Sequence, residues 1–90
     1  MDVINNEPAS RYEIHIGDEV AFAQYKMRGD VIVFTHTEVP KHLEGQGLAG
    51  RLAAKALDDA REHHLKVVPR CPYFATYIQR HPQYADLVQP

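Results

Sequence analysis

The hydrophobic period of this chain changes once, at Pro40, and that change limits what it can fold into more than any other feature. Before Pro40 the apolar residues recur at every second position, the spacing of a half-buried strand. After it they recur at every third and fourth, the spacing of a helix. Tyr12, Ile14 and Ile16 alternate with Glu13 and His15, and Gly17-Asp18 then supplies a turn dipeptide. Glu19 to Met27 reads as a second strand, with Val20 and Phe22 on one face and Ala21, Ala23 and Tyr25 on the other. Arg28-Gly29-Asp30 turns the chain again. Val31 to Thr37 is β-branched or aromatic on both faces, the composition of an interior strand.

Beyond Pro40, Leu48, Leu52, Ala56 and Ala60 stand four apart, flanked by Ala53 and Leu57, and predict a helix over 46–64. Arg61, His63 and His64 near its end suit the negative pole of the helix dipole. Leu65 to Pro69 is short and β-prone. A crossover helix before it predicts a strand parallel to Val31–Thr37. Tyr73 to Arg80 predicts a second, short helix with Pro72 permitted at its first turn, and 83–88 offers a last turn after His81-Pro82. The expected order is β-β-β-α-β-α: an α+β fold with one mixed, mainly antiparallel sheet and a helix on at least one face.

Ninety residues bound this order to one domain, 1–90. Ten Lys and Arg against twelve Asp and Glu give a formal charge of −2, which argues against a nucleic-acid partner. The balance runs from −3 over residues 1–30 (three basic, six acidic) to +2 over residues 61–90 (four basic, two acidic). That bias favours a small anion near the C-terminal part rather than a polyanion. A single cysteine, Cys71, allows no intrachain disulfide. No run approaches the ~20 apolar residues that span a bilayer, and residues 1–11 lack the basic end and apolar stretch of a signal peptide. A cytoplasmic protein with no membrane partner is expected. Six histidines invite a metal, but no Cys-x-x-Cys or His-x-x-x-His pair is present and adjacent His63 and His64 share no helix face, so no metal is expected.

The segment Val39-Pro40-Lys41-His42-Leu43-Glu44-Gly45-Gln46-Gly47-Leu48-Ala49-Gly50 joins the interior strand to the long helix. Gly45 and Gly47 remove side chains where the backbone enters the helix, leaving amides free to converge on one spot. With the positive end of the helix dipole they form a pocket for phosphate oxygens. Two glycines that merely make a tight loop fit the same residues. The Gly-Lys-Ser/Thr ending of a Walker loop is missing, and no later strand ends in the ribose-binding acid of a Rossmann fold.

The strand, the glycine loop and an Ala/Leu-rich helix resemble the acetyl-CoA-binding motif of the GCN5-related N-acetyltransferase superfamily, Q/R-x-x-G-x-G/A, met here as Glu44-x-x-Gly47-x-Ala49. His36-Thr37-Glu38-Val39-Pro40, Cys71-Pro72-Tyr73 and Tyr77-Ile78-x-x-His81-Pro82-x-Tyr84-x-Asp86-Leu87 extend the likeness to the small single-domain GCN5-like acetyltransferases, over residues 10–88. The resemblance implies acetyl-CoA as cosubstrate and transfer of acetyl to an amine of unknown identity, in a wedge where Val31–Thr37 and Leu65–Pro69 part. Pantetheine then pairs with the strand near Val39, and pyrophosphate meets the amides from Gly45 through Gln46, Gly47 and Leu48 to Ala49. The thioester reaches Cys71 to Tyr77, with Tyr73 and Tyr77 beside it. Glu44 departs from the motif, and it either faces the diphosphate, with Lys41, His42 or Arg51 to offset it, or caps the helix. The Gly17-Asp18 turn replaces the two helices that shape the acceptor pocket in larger relatives, so the acceptor side is expected to be open.

Acyl transfer needs a deprotonated nucleophile, a stabilised oxyanion and a protonated leaving thiolate. Cys71 is the sharpest candidate at the thioester. In the resemblance it either accepts the acyl group or lines the pocket, and a buried small hydrophobe is the plain alternative. Glu38 is a candidate base acting through a water, with His36 two residues away on the same strand face to relay protons. Tyr73 and Tyr77 share a helix face, and either phenol, Tyr73 first, is a candidate proton donor to the thiolate, with simple packing as the plain alternative. His81, Pro82 and Tyr84 read as structural. Two other functions stand beside the enzyme: a CoA-binding module with little or no catalysis, and a protein-interaction domain on the same fold.

Overall fold

Turn dipeptides at Gly17-Asp18 and Gly29-Asp30 lay the first half of the chain down as a meander. A computed structural model describes residues 2–89; Met1 and Pro90, the ends of the expected domain, lie outside the described residues. Its strands are β1 (Ile4–Asn6), β2 (Arg11–Ile16), β3 (Glu19–Arg28), β4 (Val31–Glu38) and β5 (Lys66–Pro69). They form one sheet in the order β1-β2-β3-β4-β5, antiparallel until β4, which pairs β5 in parallel. The long crossover is helix α1 (Leu48–Glu62), and α2 (Pro72–Arg80) follows β5. Short 3-10 turns occupy Glu7–Ala9, Lys41–Leu43 and Pro82–Leu87. The mixed α+β sheet matches the sequence reading. Strand β1 adds to it, and α1 is shorter than 46–64.

Both helices pack on one face of the sheet. Leu52, Ala53, Ala56, Leu57 and Ala60 of α1 are buried against Tyr12, Ile14, Ala21 and Ala23 of β2 and β3. Alanines on both surfaces let the helix lie close to the strands, because no large side chain holds them apart. Helix α2 is fixed by Phe74, whose ring stacks on Phe34 of β4 at 4.1 Å between centroids and 11° between planes. Burying one such ring stabilises the fold by roughly 2–3 kcal/mol. The outer edge of β5 is closed by the chain end, where the Gln89 amide donates to the Val67 carbonyl at 2.9 Å.

The other face carries no helix among the described residues, yet it buries a charge. The alternation along β2 puts Glu13 there as a solvent-facing acid; in the structure it is 3% exposed. Its carboxylate accepts from Arg11 Nη2 at 2.7 Å, His15 Nε2 at 2.8 Å and Asn6 Nδ2 at 3.1 Å, while the Arg11 guanidinium lies 4.4 Å above the Phe22 ring. Three donors replace the water that Glu13 has lost.

A bulge in β4 decides which residues reach the helical side. Gln24 pairs with His36 and Tyr25 with Phe34, leaving Thr35 without a partner on β3. Ile32 and Phe34 point into the core before the bulge, and the extra residue reverses the alternation after it. Thr37, paired with the buried Ala23, therefore faces the helices, while His36 and Glu38 face the open side beside Phe22.

Candidate functional site

Parallel pairing of β4 with β5 runs only from Val31 to Phe34. The Cys71 amide donates to the Phe34 carbonyl at 2.9 Å, and from there the chain turns into α2 while β4 continues to Glu38. A wedge opens between them, as a parallel sheet edge does when one strand leaves for a helix. At its mouth Lys41–Leu43 makes a single turn, and Gly45 and Gly47 follow with φ of +87° and +79°. Those left-handed angles suit glycine and turn the backbone sharply into α1. Gly47 is the N-cap of α1, and its carbonyl receives the Arg51 amide at 3.1 Å. The amides of Leu48, Ala49 and Gly50 thus open the helix with no intrahelical carbonyl behind them.

Val39, Leu43, Glu44, Gly45, Gly47, Leu48, Ala49, Gly50 and Tyr73 line one pocket of about 240 Å³ in front of these amides. Seven of them were expected from the sequence: Val39, Glu44, Gly45, Gly47, Leu48, Ala49 and Tyr73. Gln46, Cys71 and Tyr77, also expected at the cofactor, are not among the lining residues. Leu43 and Gly50 are additions. A Cβ on Gly50 would stand 3.6 Å from the Tyr73 hydroxyl, so this glycine is where α2 leans against the first turn of α1. A glycine inside a helix costs about 1 kcal/mol relative to alanine and was a signal of such an approach.

Glu44 lines the pocket but does not cap the helix, because Gly47 occupies the N-cap and no side chain bonds there. His42, one of the three cations named to offset Glu44, is bound to Glu19 at 2.8 Å. Tyr73, 38% exposed, packs with Tyr77 at 6.1 Å between ring centroids. Partial burial and the neighbouring Tyr77 push the Tyr73 phenol above its ordinary pKa, so it keeps its proton through the neutral range. Tyr77 stacks on His81 at 3.9 Å, and Tyr84 donates to Asp58 at 2.8 Å, the structural parts expected of His81 and Tyr84.

Cys71 is 4% exposed, with its sulfur 3.3 Å from the Thr37 hydroxyl on the helical side of β4. Glu38 and His36, bonded to each other at 3.0 Å, stand on the opposite face. The structure therefore brings Cys71 and the Gly45–Ala49 loop to one side of the sheet and the Glu38–His36 pair to the other. Thr37 was missed because nothing in a β-branched run marks a bulge. Among the described residues no three His, Cys, Asp or Glu side chains converge as metal ligands, and no helix is long and apolar enough to cross a membrane.

A mixed sheet whose parallel pair parts in front of a glycine-led helix defines the GCN5-like fold. The NMR solution structure of a GCN5-like protein from Staphylococcus aureus has it too, with a TM-score of 0.77 at 23% identity, over 98% of this chain and 87% of that one. The family model described as GCN5-related N-acetyl-transferase matches residues 11–87, and the chain belongs to that family. It is also similar to Protein NATD1 of Homo sapiens, 39% identical over 67% of this chain and 55% of that protein. Protein NATD1 of Xenopus tropicalis is 40% identical over 61% of this chain and 52% of its own length. The chain thus spans about half the length of the curated relatives it matches.

Proposed function

We propose that this chain is an acetyl-CoA-dependent N-acetyltransferase that acylates an amine. One observation carries the reading: Val39, Glu44, Gly45, Gly47, Leu48, Ala49 and Tyr73 meet in a single pocket at the N-terminus of α1, beside the parted strands. The residues fit the cosubstrate. Unsatisfied helix amides and the dipole favour a diphosphate. The positions where Gly45 and Gly47 would carry a Cβ have no other atom within 4 Å, leaving room for a ligand against the backbone. The free side of β4 beyond Phe34 offers main-chain groups to an extended pantetheine.

The remaining groups divide between the two faces. Glu38 and His36 are the candidates to take a proton from an amine arriving on the open face, relayed through a water. Tyr73 holds the proton that a leaving thiolate needs. Cys71, at the foot of the wedge, either accepts the acetyl group or lines its path. Among the described residues no helix covers the open face, which suits an amine carried on a larger molecule.

Backbone-amide NMR during titration with acetyl-CoA tests the reading. Shifts clustered on Val39, Gly45 to Ala49, and Cys71 to Tyr77 are expected; none at millimolar ligand overturns it. A CoA-binding module without turnover is the second reading, favoured by Glu44, an acid among the residues lining the pocket that the diphosphate would enter. Release of free CoA in the presence of polyamines, lysine peptides or free peptide N-termini separates the two.

A further inference from the structure

We propose that Thr37 is the positioning residue for the Cys71 sulfur. The inference rests on the wedge being the thioester end of the site, and it extends that reading to a residue no motif marks. The bulge at Thr35 is what brings the two together. Without it, alternation from Phe34 would turn His36 toward the helices and Thr37 away from them. With it, the Thr37 hydroxyl stands 3.3 Å from Sγ and is the sulfur's hydrogen-bond partner among the described residues. The Cys71 backbone is pinned at the same point by its amide bond to Phe34. Backbone and side chain are therefore both fixed where β4 and β5 part.

A threonine hydroxyl can serve the sulfur in either protonation state. It accepts from the S–H of a thiol and, by rotating, donates O–H to a thiolate. The second bond is charge-assisted and the stronger of the two, so the hydroxyl favours the ionised sulfur relative to a methyl in its place. Four other polar side chains face or flank Cys71. Arg70 precedes it at the exit from β5, Tyr73 interacts with it from the first turn of α2, and Glu38 and His36 lie across β4 on the other face. None of these is bonded to the sulfur. If Cys71 carries the acyl group, the amine nitrogen bonds the acetyl carbon as the C–S bond breaks, the amine proton passes to the Glu38–His36 pair through a water, and the Thr37 hydroxyl donates to the thiolate released. If Cys71 only lines the path, the contact still fixes the wall.

The test compares Thr37→Val, which keeps the shape and removes the hydroxyl, with Thr37→Ser, which keeps the hydroxyl and removes a methyl. Cys71 is the only cysteine, so alkylation by iodoacetamide at one fixed pH reports on it alone. The ultraviolet absorbance of the thiolate, with Cys71→Ser as blank, reports ionisation without needing reagent access. Thr37→Val is expected to lower both by roughly threefold to tenfold, and Thr37→Ser to restore most of the loss. Equal values in Thr37→Val and the parent overturn the proposal, as does a loss in Thr37→Ser as large as in Thr37→Val, which would mark a packing effect. Neither readout uses acetyl-CoA. A failure here leaves the cofactor reading standing, and a failure to bind acetyl-CoA leaves this contact to be judged alone.

Discussion

The two ends of α1 treat polar groups in opposite ways. Around its C-terminal half the hydroxyls are all spoken for: Tyr12 donates to Asp59 at 3.0 Å, Tyr84 to Asp58 at 2.8 Å, and Tyr25 to Asn5 of β1 at 2.8 Å. Around its N-terminal turn, no hydrogen bond holds the hydroxyl of Tyr73 or Tyr77 among the described residues, and the helix amides face open space. Five tyrosines in one small domain thus fall into two groups by partner rather than by burial alone. Satisfied polar groups specify a unique packing, whereas groups left facing a pocket are free to bind something that is not part of the chain. The contrast locates the site without reference to any motif, and mutations can sharpen it or break it.

The largest effect is expected at Glu13, the charge buried on the open face. Glu13→Gln leaves the half-buried Arg11 opposite a neutral amide and should cost about 2 kcal/mol by urea unfolding at neutral pH. Burial pushes the Glu13 carboxyl up, but hydrogen bonds from His15, Arg11 and Asn6 outweigh it and hold it below the ordinary value of 4.5. A depressed folded pKa contributes stability above about pH 4.5 that is lost as pH falls through the folded value. The gap between the parent and Glu13→Gln should therefore be widest at neutral pH and narrow steadily in acid. A gap independent of pH would mean that shape, not charge, is what Glu13 contributes.

Glu13 also shows where sequence reading stops. Its place in the alternation was plain, and so was its face; its burial was not, because Asn6 reaches it from the neighbouring β1 while Arg11 and His15 close over it from either side along β2. Strand β1 escaped notice for the same reason. Asn5 and Asn6 are poor strand formers, and they are held by Tyr25 and Glu13, contacts that exist only after β2 and β3 have paired. The loop at Gly45 to Ala49 was legible because its chemistry is local, with glycines at positive φ and a helix starting behind them. Even there the helix begins at Leu48 rather than Gln46, since left-handed Gly47 cannot belong to it. The Thr35 bulge had no local mark at all, and it alone decides that Thr37, rather than His36 and Glu38, faces the helices.

A pair of single-atom deletions tests the contrast between the two ends directly. Tyr12→Phe removes a hydroxyl bonded to a carboxylate and leaves Asp59 with Lys55 at 3.1 Å; the expected cost is about 1–1.5 kcal/mol. Tyr73→Phe removes a hydroxyl with no hydrogen-bond partner among the described residues and should leave unfolding within about 0.5 kcal/mol of the parent. Turnover should move the other way, falling in Tyr73→Phe and holding in Tyr12→Phe. Equal destabilisation by the two variants would erase the distinction between the ends.

The smallest expected difference uses two glycines that share a backbone conformation but not a location. Gly47 has φ of +79° at the start of α1 and Gly29 has φ of +61° in the turn between β3 and β4; neither has another atom within 4 Å of the place a Cβ would take. Alanine at either position meets only the backbone strain of the left-handed region, about 1 kcal/mol, and both variants should unfold at nearly the same urea concentration. Their ligand affinity should differ. At Gly47 the new methyl projects beside the helix amides, where the diphosphate is read to lie, and roughly tenfold weaker acetyl-CoA binding is expected. Gly29→Ala, remote from the loop, should bind as the parent does. Because the strain is common to both, any difference in binding belongs to the space in front of α1, and equal binding by both would move the diphosphate away from Gly47.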